Sequence, residues 1–239
     1  VTVFVRVLPA DFPLGGTLHQ GLRYGENPHQ TAHWYKRRGA PGGWHDSKIL
    51  QGKELSYNNL LDLEASLGLL RDLSGPSAVA VKHNSPCGAA TADILALAVE
   101  RCLSSDPVSV FGGIVAINGT VNAQVAELLA PLFLECVVAP KFDDAAMAVL
   151  SKKKNLRLLE WPGLMERDGF HQIKTVQGGF LLQQPDQVMK WNPEWKVLGA
   201  KPTPEIQAEL GFAWAVSAHL KSNAIAITGG RQTLGLGMG

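Results

Sequence analysis

Cysteine is scarce in this chain: Cys87, Cys102 and Cys136 are the three in 239 residues, widely spaced and without a CxxC pair. That count excludes a disulfide framework or a cysteine-built zinc cage and suits a reducing compartment, so a cytoplasmic location is expected. Net charge is nearly absent too. At +1 overall, nothing suggests nucleic acid or a membrane surface as a partner, and only a local basic site for a small anion stays open. No run approaches the roughly 18 to 20 apolar residues of a membrane helix. The opening Val1 to Leu8, interrupted by Arg6, is too short for a signal peptide. What is present, 46% hydrophobic and 18% charged residues, excludes disorder and can fill one large core or two small ones.

Residues 1–21 show no clear period and read as a lead-in arm. Short strands are expected at Ala32 to Tyr35 and Lys48 to Gln51, around the loop Gly39 to Gly43. Leu60, Leu63, Leu67 and Leu70 fall on one helical face, with Asn58 or Asn59 as the cap. Apolar runs and helical patterns then alternate: strands at 78–81, 113–117, 136–139 and 156–159, helices at 92–103, 123–129 and 144–150. Repeated β-α-β predicts a mainly parallel sheet covered on both faces, with ligands beyond the carboxyl ends of its strands. The loops after Val81, after Cys102 and around Pro140 then become neighbours. One more strand is expected at Gly179 to Gln183, then a helix at 204–220 and strands at 224–228 and 233–236, the start of a further α/β unit that the chain leaves unfinished. The expected division is therefore 1–21, 22–200 and 201–239.

The segment Val81-Lys82-His83-Asn84-Ser85-Pro86-Cys87-Gly88 places two ionisable side chains directly after an apolar strand. Histidine moves protons near neutral pH, and a lysine at the dry end of a strand stabilises a developing anion. Pro86 and Gly88 are expected to shape the turn. Three further strings stand out: Leu22-Arg23-Tyr24-Gly25-Glu26-Asn27-Pro28-His29-Gln30, Asp106 to Ala116 with Phe111-Gly112-Gly113 inside it, and Lys221-Ser222-Asn223-Ala224-Ile225.

Together with Gly52-Lys53-Glu54-Leu55-Ser56-Tyr57-Asn58-Asn59, Val137-Val138-Ala139-Pro140 and Gly178-Gly179-Phe180-Leu181, these strings resemble the formyltransferase half of the AICAR transformylase/IMP cyclohydrolase (PurH) family. The resemblance runs from about Leu22 to Gly239. It implies a cytidine-deaminase-like three-layer α/β/α fold, duplicated in the full domain, and formyl transfer from 10-formyltetrahydrofolate, a co-substrate, to the amine of AICAR in purine biosynthesis. It also implies a homodimer and no metal for the chemistry. The family's amino-terminal cyclohydrolase domain has no counterpart here, and the family pattern continues past Gly239 into a Gln-x-Ser-Arg segment. The chain is thus expected to be a fragment without appreciable activity of its own.

The resemblance also assigns roles. The acceptor amine is conjugated with its ring, so attack requires removal of its proton and stabilisation of a tetrahedral oxyanion. His83 fits the proton shuttle and Lys82 its electrostatic partner, both in one cleft near Gly112 and Asn223. Arg23, with a planar fork suited to phosphate, and Tyr24 are implied to bind the nucleotide. Asn223 would hold the carboxamide, and Gly112 would let backbone approach the ligand. Glu135 is either an acid on the substrate or a solvated carboxylate at a strand start. Lys152, Lys153 and Lys154 close a helix and either complement its negative end or supply at least one phosphate contact, with Lys153 as the candidate and the choice among the three left open.

Other residues are excluded from the chemistry. His29 and His33 have helical metal spacing, but Pro28 and the strand after it deny them a helix. His19, His45, His171 and His219 are scattered, and the six tryptophans follow no stacking pattern. A zinc nucleoside deaminase needs His-x-Glu and Pro-Cys-x-x-Cys; here Ala90 stands at the second cysteine position and no His-x-Glu exists. The remaining rival is a non-catalytic nucleotide-monophosphate-binding or assembly module of the same fold.

Overall fold

The computed structural model describes residues 11–239, so the reading of Val1 to Leu8 lies outside the described residues. The chain opens on a hairpin of β1 (Gly16–Leu22) and β2 (Ala32–Arg37), paired antiparallel. Residues 16–21, expected in an irregular arm, are therefore strand. Their alternation is silent in the sequence because neither face of β1 is buried.

The centre of the fold is a six-stranded sheet. Its strands are β3 (Lys48–Gln51), β4 (Ser77–Lys82), β5 (Ser85–Thr91), β6 (Ile114–Ile117), β8 (Cys136–Ala139) and β10 (Arg157–Glu160), in spatial order β3-β10-β8-β6-β4-β5. Helices α1 (Tyr57–Leu70), α2 (Leu95–Ser105), α3 (Ala123–Leu129) and α4 (Asp144–Leu150) connect them. A short parallel pair, β7 (Thr120–Val121) and β9 (Lys141–Phe142), lies outside the sheet. Next come a hairpin of β11 (Gln172–Val176) and β12 (Gly179–Gln183), helix α5 (Pro204–Ala218) and a hairpin of β13 (Ile225–Thr228) and β14 (Thr233–Gly237).

The sheet is mixed, which corrects the expectation of a mainly parallel one. Only β10–β8 and β8–β6 pair parallel; β3–β10, β6–β4 and β4–β5 are antiparallel. The reason lies after Lys82, where a helix was expected to follow the turn. The chain instead folds straight back as β5, and α2 begins only at Leu95. A strand returning through a tight hairpin has to pair antiparallel, whereas the two helical crossovers, α3 and α4, return the chain parallel.

Both faces of the sheet are buried, and the period of two along each strand sends alternate residues to two separate cores. Ala78, Ala80, Val115, Ile117, Val137, Ala139 and Leu158 pack with α2, α3 and α4. Val79, Val81, Ile114, Ala116, Cys136, Val138 and Leu159 pack with α1 and with Phe212, Ala215 and Val216 of α5. Each fully buried leucine or valine in these layers contributes about 1.5–3 kcal/mol. Leu63, Leu67 and Leu70 of the α1 stripe are fully buried. The α1 cap is Ser56 rather than Asn58 or Asn59: its Oγ accepts Asn59 N–H at 3.2 Å, while Asn59 Oδ1 accepts Ser56 N–H at 3.0 Å. An asparagine three residues into the helix closes the box instead of starting it.

Candidate active site

Lys82 ends β4 and pairs with Ser85 at the start of β5, so the connection is a two-residue hairpin of His83 and Asn84. Both have positive φ, 54° and 60°, the signature of a type I′ turn. Pro86 and Gly88, expected to shape the turn, lie inside β5 instead. The turn is tied to α1, where Asp62 Oδ1 accepts the Asn84 N–H at 2.6 Å. Burial pushes the Asp62 carboxyl above the usual range, against the lowering effect of the Asn84 and His83 amides and the His83 ring.

The Lys82 ammonium donates to the Phe111 carbonyl at 2.7 Å. Phe111 closes the loop after α2, which Asp106 organises by accepting Val108 N–H at 3.1 Å and Ser109 N–H at 2.9 Å. Bonds from Ser109 hold the Asp106 carboxyl below the ordinary range, with Val108 and the Lys82 charge adding to the effect. Two glycines then permit the path into β6. Gly112 has φ 74° and donates its N–H to Phe133 O at 2.7 Å. Gly113 lies so close to β4 that a Cβ would stand 2.9 Å from Val81 O and 3.0 Å from Val110 O.

Lys82 and exposed His83 line one cavity of about 550 Å³ with Cys87, Asp106, Ser109 and residues Thr233 to Leu236 and Met238. Burial and the nearby Asp106 charge push the Cys87 thiol up to about 11. The β14 wall is fixed by Thr233, whose Oγ1 accepts Ala89 N–H at 2.9 Å and donates to Ala89 O at 3.3 Å.

The other expected residues lie outside the walls of this cavity. Gly112 directly follows the carbonyl that holds Lys82. Exposed Asn223 precedes β13, beside Gly239, where a Cβ would meet Asn223 N at 3.2 Å. Arg23 and Tyr24 dock on the start of α1, with Tyr57 N–H donating to Tyr24 O at 3.3 Å and the Arg23 guanidinium 5.2 Å from the Tyr24 ring centre. Their loop is further held by Asn58, whose Nδ2 donates to Glu26 O at 3.0 Å. Lys153 is half-buried in the turn after α4, its carbonyl accepting from Gln51 Nε2 at 2.8 Å.

Glu135 is neither a free carboxylate nor merely solvated: it pairs with Arg157 Nη1 at 2.7 Å. Arg157 is 4% exposed and its Nε donates to the carbonyls of Lys53 and Glu54 at 3.1 and 3.2 Å. Sequence reasoning passed over Arg157 and Asp62 alike. An arginine opening a strand and an acid on a helix look solvated until the fold brings their partners in from distant segments.

Lys82, Gly112, Glu135 and Arg157 meet at one end of the sheet. It is the carboxyl end of β3 and β4 but the amino end of the parallel strands β6, β8 and β10, which corrects the expected carboxyl-edge position. Pro140, following β8, is consequently at the opposite end. Among the described residues no group of three or more His, Cys, Asp or Glu side chains could hold a metal ion, and no helix is long and apolar enough to cross a membrane.

Against known proteins, residues 4–239 match the family model described as the AICARFT/IMPCHase bienzyme. The chain is 48% identical over 237 residues to the bifunctional purine biosynthesis protein PurH of Thermosynechococcus vestitus, covering 98% of this chain and 46% of that protein. It is 47% identical over 236 residues to the protein of the same name from Rippkaea orientalis, covering 97% and 45%. With Gloeothece citriformis PurH the identity is 48% over 237 residues, covering 97% and 45%. The chain therefore spans about half the length of the curated relatives it matches. A match across nearly all its residues, on a sheet that gathers the Lys82–His83 turn, Gly112 and Glu135 at one end, makes this chain a member of the AICARFT/IMPCHase bienzyme family.

Proposed function

We propose that this chain carries formyltransferase chemistry: transfer of the formyl group of 10-formyltetrahydrofolate to the amine of AICAR in purine biosynthesis. The observation that carries this reading is the placement of Lys82 and His83 side by side at a hairpin tip, facing one cavity. The AICAR amine attacks the formyl carbon and forms the new C–N bond while the His83 imidazole accepts its proton. Lys82 Nζ stabilises the tetrahedral oxyanion. On collapse the bond from the formyl carbon to the folate nitrogen breaks, and that nitrogen leaves with the proton returned by His83. Arg23 and Tyr24 bind the nucleotide, with Lys153 on the phosphate. Asn223 takes the carboxamide, Gly112 lets the backbone approach the ligand, and Glu135 contributes through the oxygen that Arg157 leaves free. None of these steps calls for a metal.

Helices on both faces of the sheet support a cytidine-deaminase-like three-layer arrangement for residues 22–200; the segment 201–239, proposed to open a second unit, packs on the same sheet through Phe212, Ala215 and Val216. The proposal extends to a homodimer in the cytoplasm, with small molecules as its ligands, and assigns cyclohydrolase activity to a domain outside this sequence.

AICAR titrated into the purified chain, and transfer from 10-formyltetrahydrofolate followed in the intact gene product, test the reading. AICAR binding that His83→Ala leaves in place, with turnover that it removes, is the expected result. Binding without turnover in the intact gene product would instead make this a non-catalytic nucleotide module.

A further inference from the structure

The turn that carries His83 is held in a conformation that L-residues avoid. His83 and Asn84 both occupy the left-handed region, uncommon for residues other than glycine although asparagine, aspartate and histidine enter it more often than the rest. The β4–β5 pairing fixes the two ends of the turn at Lys82 and Ser85. The tip is reached from elsewhere by Asp62, whose Oδ1 takes the Asn84 amide at 2.6 Å. A charged acceptor on this amide makes a stronger hydrogen bond than a neutral one would.

Asp62 belongs to the same helix that anchors the Arg23–Tyr24 loop. One turn earlier Asn58 holds Glu26 O, and Tyr57 N–H holds Tyr24 O. Positions 58 and 62 are four apart and therefore lie on one face of α1. That helix is immobilised by Leu63, Leu67 and Leu70, all fully buried. The two loops of the proposed site thus hang from adjacent turns of one rigid element. We propose that Asp62 is a positioning residue: it clamps the His83–Asn84 turn and, through α1, sets where the His83 ring stands relative to the Arg23–Tyr24 loop. The inference rests on the formyl-transfer reading for its catalytic consequence and on geometry alone for the clamp.

The test compares Asp62→Ala with Asp62→Asn in the intact gene product. Asparagine keeps an acceptor oxygen on the turn and alanine removes it. In Asp62→Ala, hydrogen exchange at the Asn84 amide should rise by about 10-fold or more. The kcat for formyl transfer should fall by about 10- to 100-fold, as expected for a reacting group displaced by about 1 Å. The AICAR Kd should stay within about 3-fold, because ground-state binding does not use His83 as base. Asp62→Asn should restore most of the kcat and the protection of Asn84. The proposal is overturned by a kcat for Asp62→Ala within about 3-fold of the parent, by equal losses in the two variants, or by parallel loss of AICAR binding. Where Asp62→Ala does not fold, Asp62→Asn decides, since unprotected Asn84 in that variant removes the clamp. A parent protein that transfers no formyl group refutes the chemistry assigned to the site, and Asn84 exchange still settles the clamp.

Discussion

Glu135 and Arg157 stand at the starts of neighbouring parallel strands, β8 and β10, and meet at 2.7 Å with the arginine side chain only 5% exposed. The glutamate side chain keeps 39% of its surface in solvent, so the two partners are unequal. Removing the carboxylate strands a buried guanidinium; removing the guanidinium leaves a carboxylate that water can reach. Glu135→Ala should therefore cost about 3 kcal/mol in urea unfolding. Adding Arg157→Met should recover most of that loss, because a well-packed apolar pair replaces a buried ion pair at little cost. A double variant as unstable as the single one would show that Arg157 acts chiefly through the Lys53 and Glu54 carbonyls.

His83→Ala should lower formyl transfer in the intact gene product by roughly 100-fold or more, in line with a positioned proton shuttle. The AICAR Kd, read by calorimetry, should move far less. Equal losses in binding and turnover would remove His83 from the proton path.

Arg23→Ala should act the other way. Loss of a charge-assisted contact to phosphate is worth about 1.5–3 kcal/mol, which raises Kd by about 10- to 100-fold, with kcat changed much less. A nucleoside lacking the phosphate should show no such difference between the parent and the variant.

Gly113→Ala should destabilise the sheet by about 1–3 kcal/mol, since both nearest atoms to the new methyl are backbone carbonyl oxygens, Val81 O and Val110 O. The same displacement moves the end of β4 that bears Lys82. Thermal unfolding and turnover should fall together, whereas a stable, fully active variant would mean that this close approach is not required.

The thiols predict the alkaline limit of the fold. Burial raises Cys87 to about 11 and Cys136 to about 12 from an ordinary 9.0, and raises Cys102 as well. A folded-state value above the unfolded one means that the folded chain holds these protons more tightly. The contribution to stability is whole below pH 9.0 and is lost as pH rises through the interval to about 12. Urea midpoints measured across that interval should decline, and Cys136→Ala should flatten the decline.

The two cores were legible in the sequence because buried strands and the Leu60–Leu70 stripe write their periods directly. Strands β3, β8 and β12 and helices α3 and α4 have the very limits that pattern alone gave them. Pairing direction was not legible, since an apolar run of four residues reads the same either way. Strand β5 was hidden by Pro86 and Gly88, which look like turn residues and have no β-branched neighbours before Thr91. At the site, Lys82 and His83 announced themselves as charges ending an apolar run. Asp62 and Arg157 did not, because their partners Asn84 and Glu135 are 22 residues away in each case.

The two-residue hairpin also bears on which changes of length this segment can accept. One residue inserted between His83 and Asn84 would advance β5 by a single place and turn it inside out. Ala89, now facing α1, and Ala90, now facing α2, would exchange faces, and both bonds between Thr233 and Ala89 would be lost. Indels are thus barred here by the interior of the protein rather than by the reaction at the tip. The spacing between Lys82 and Ser85 would stay fixed even in a descendant that had given up catalysis.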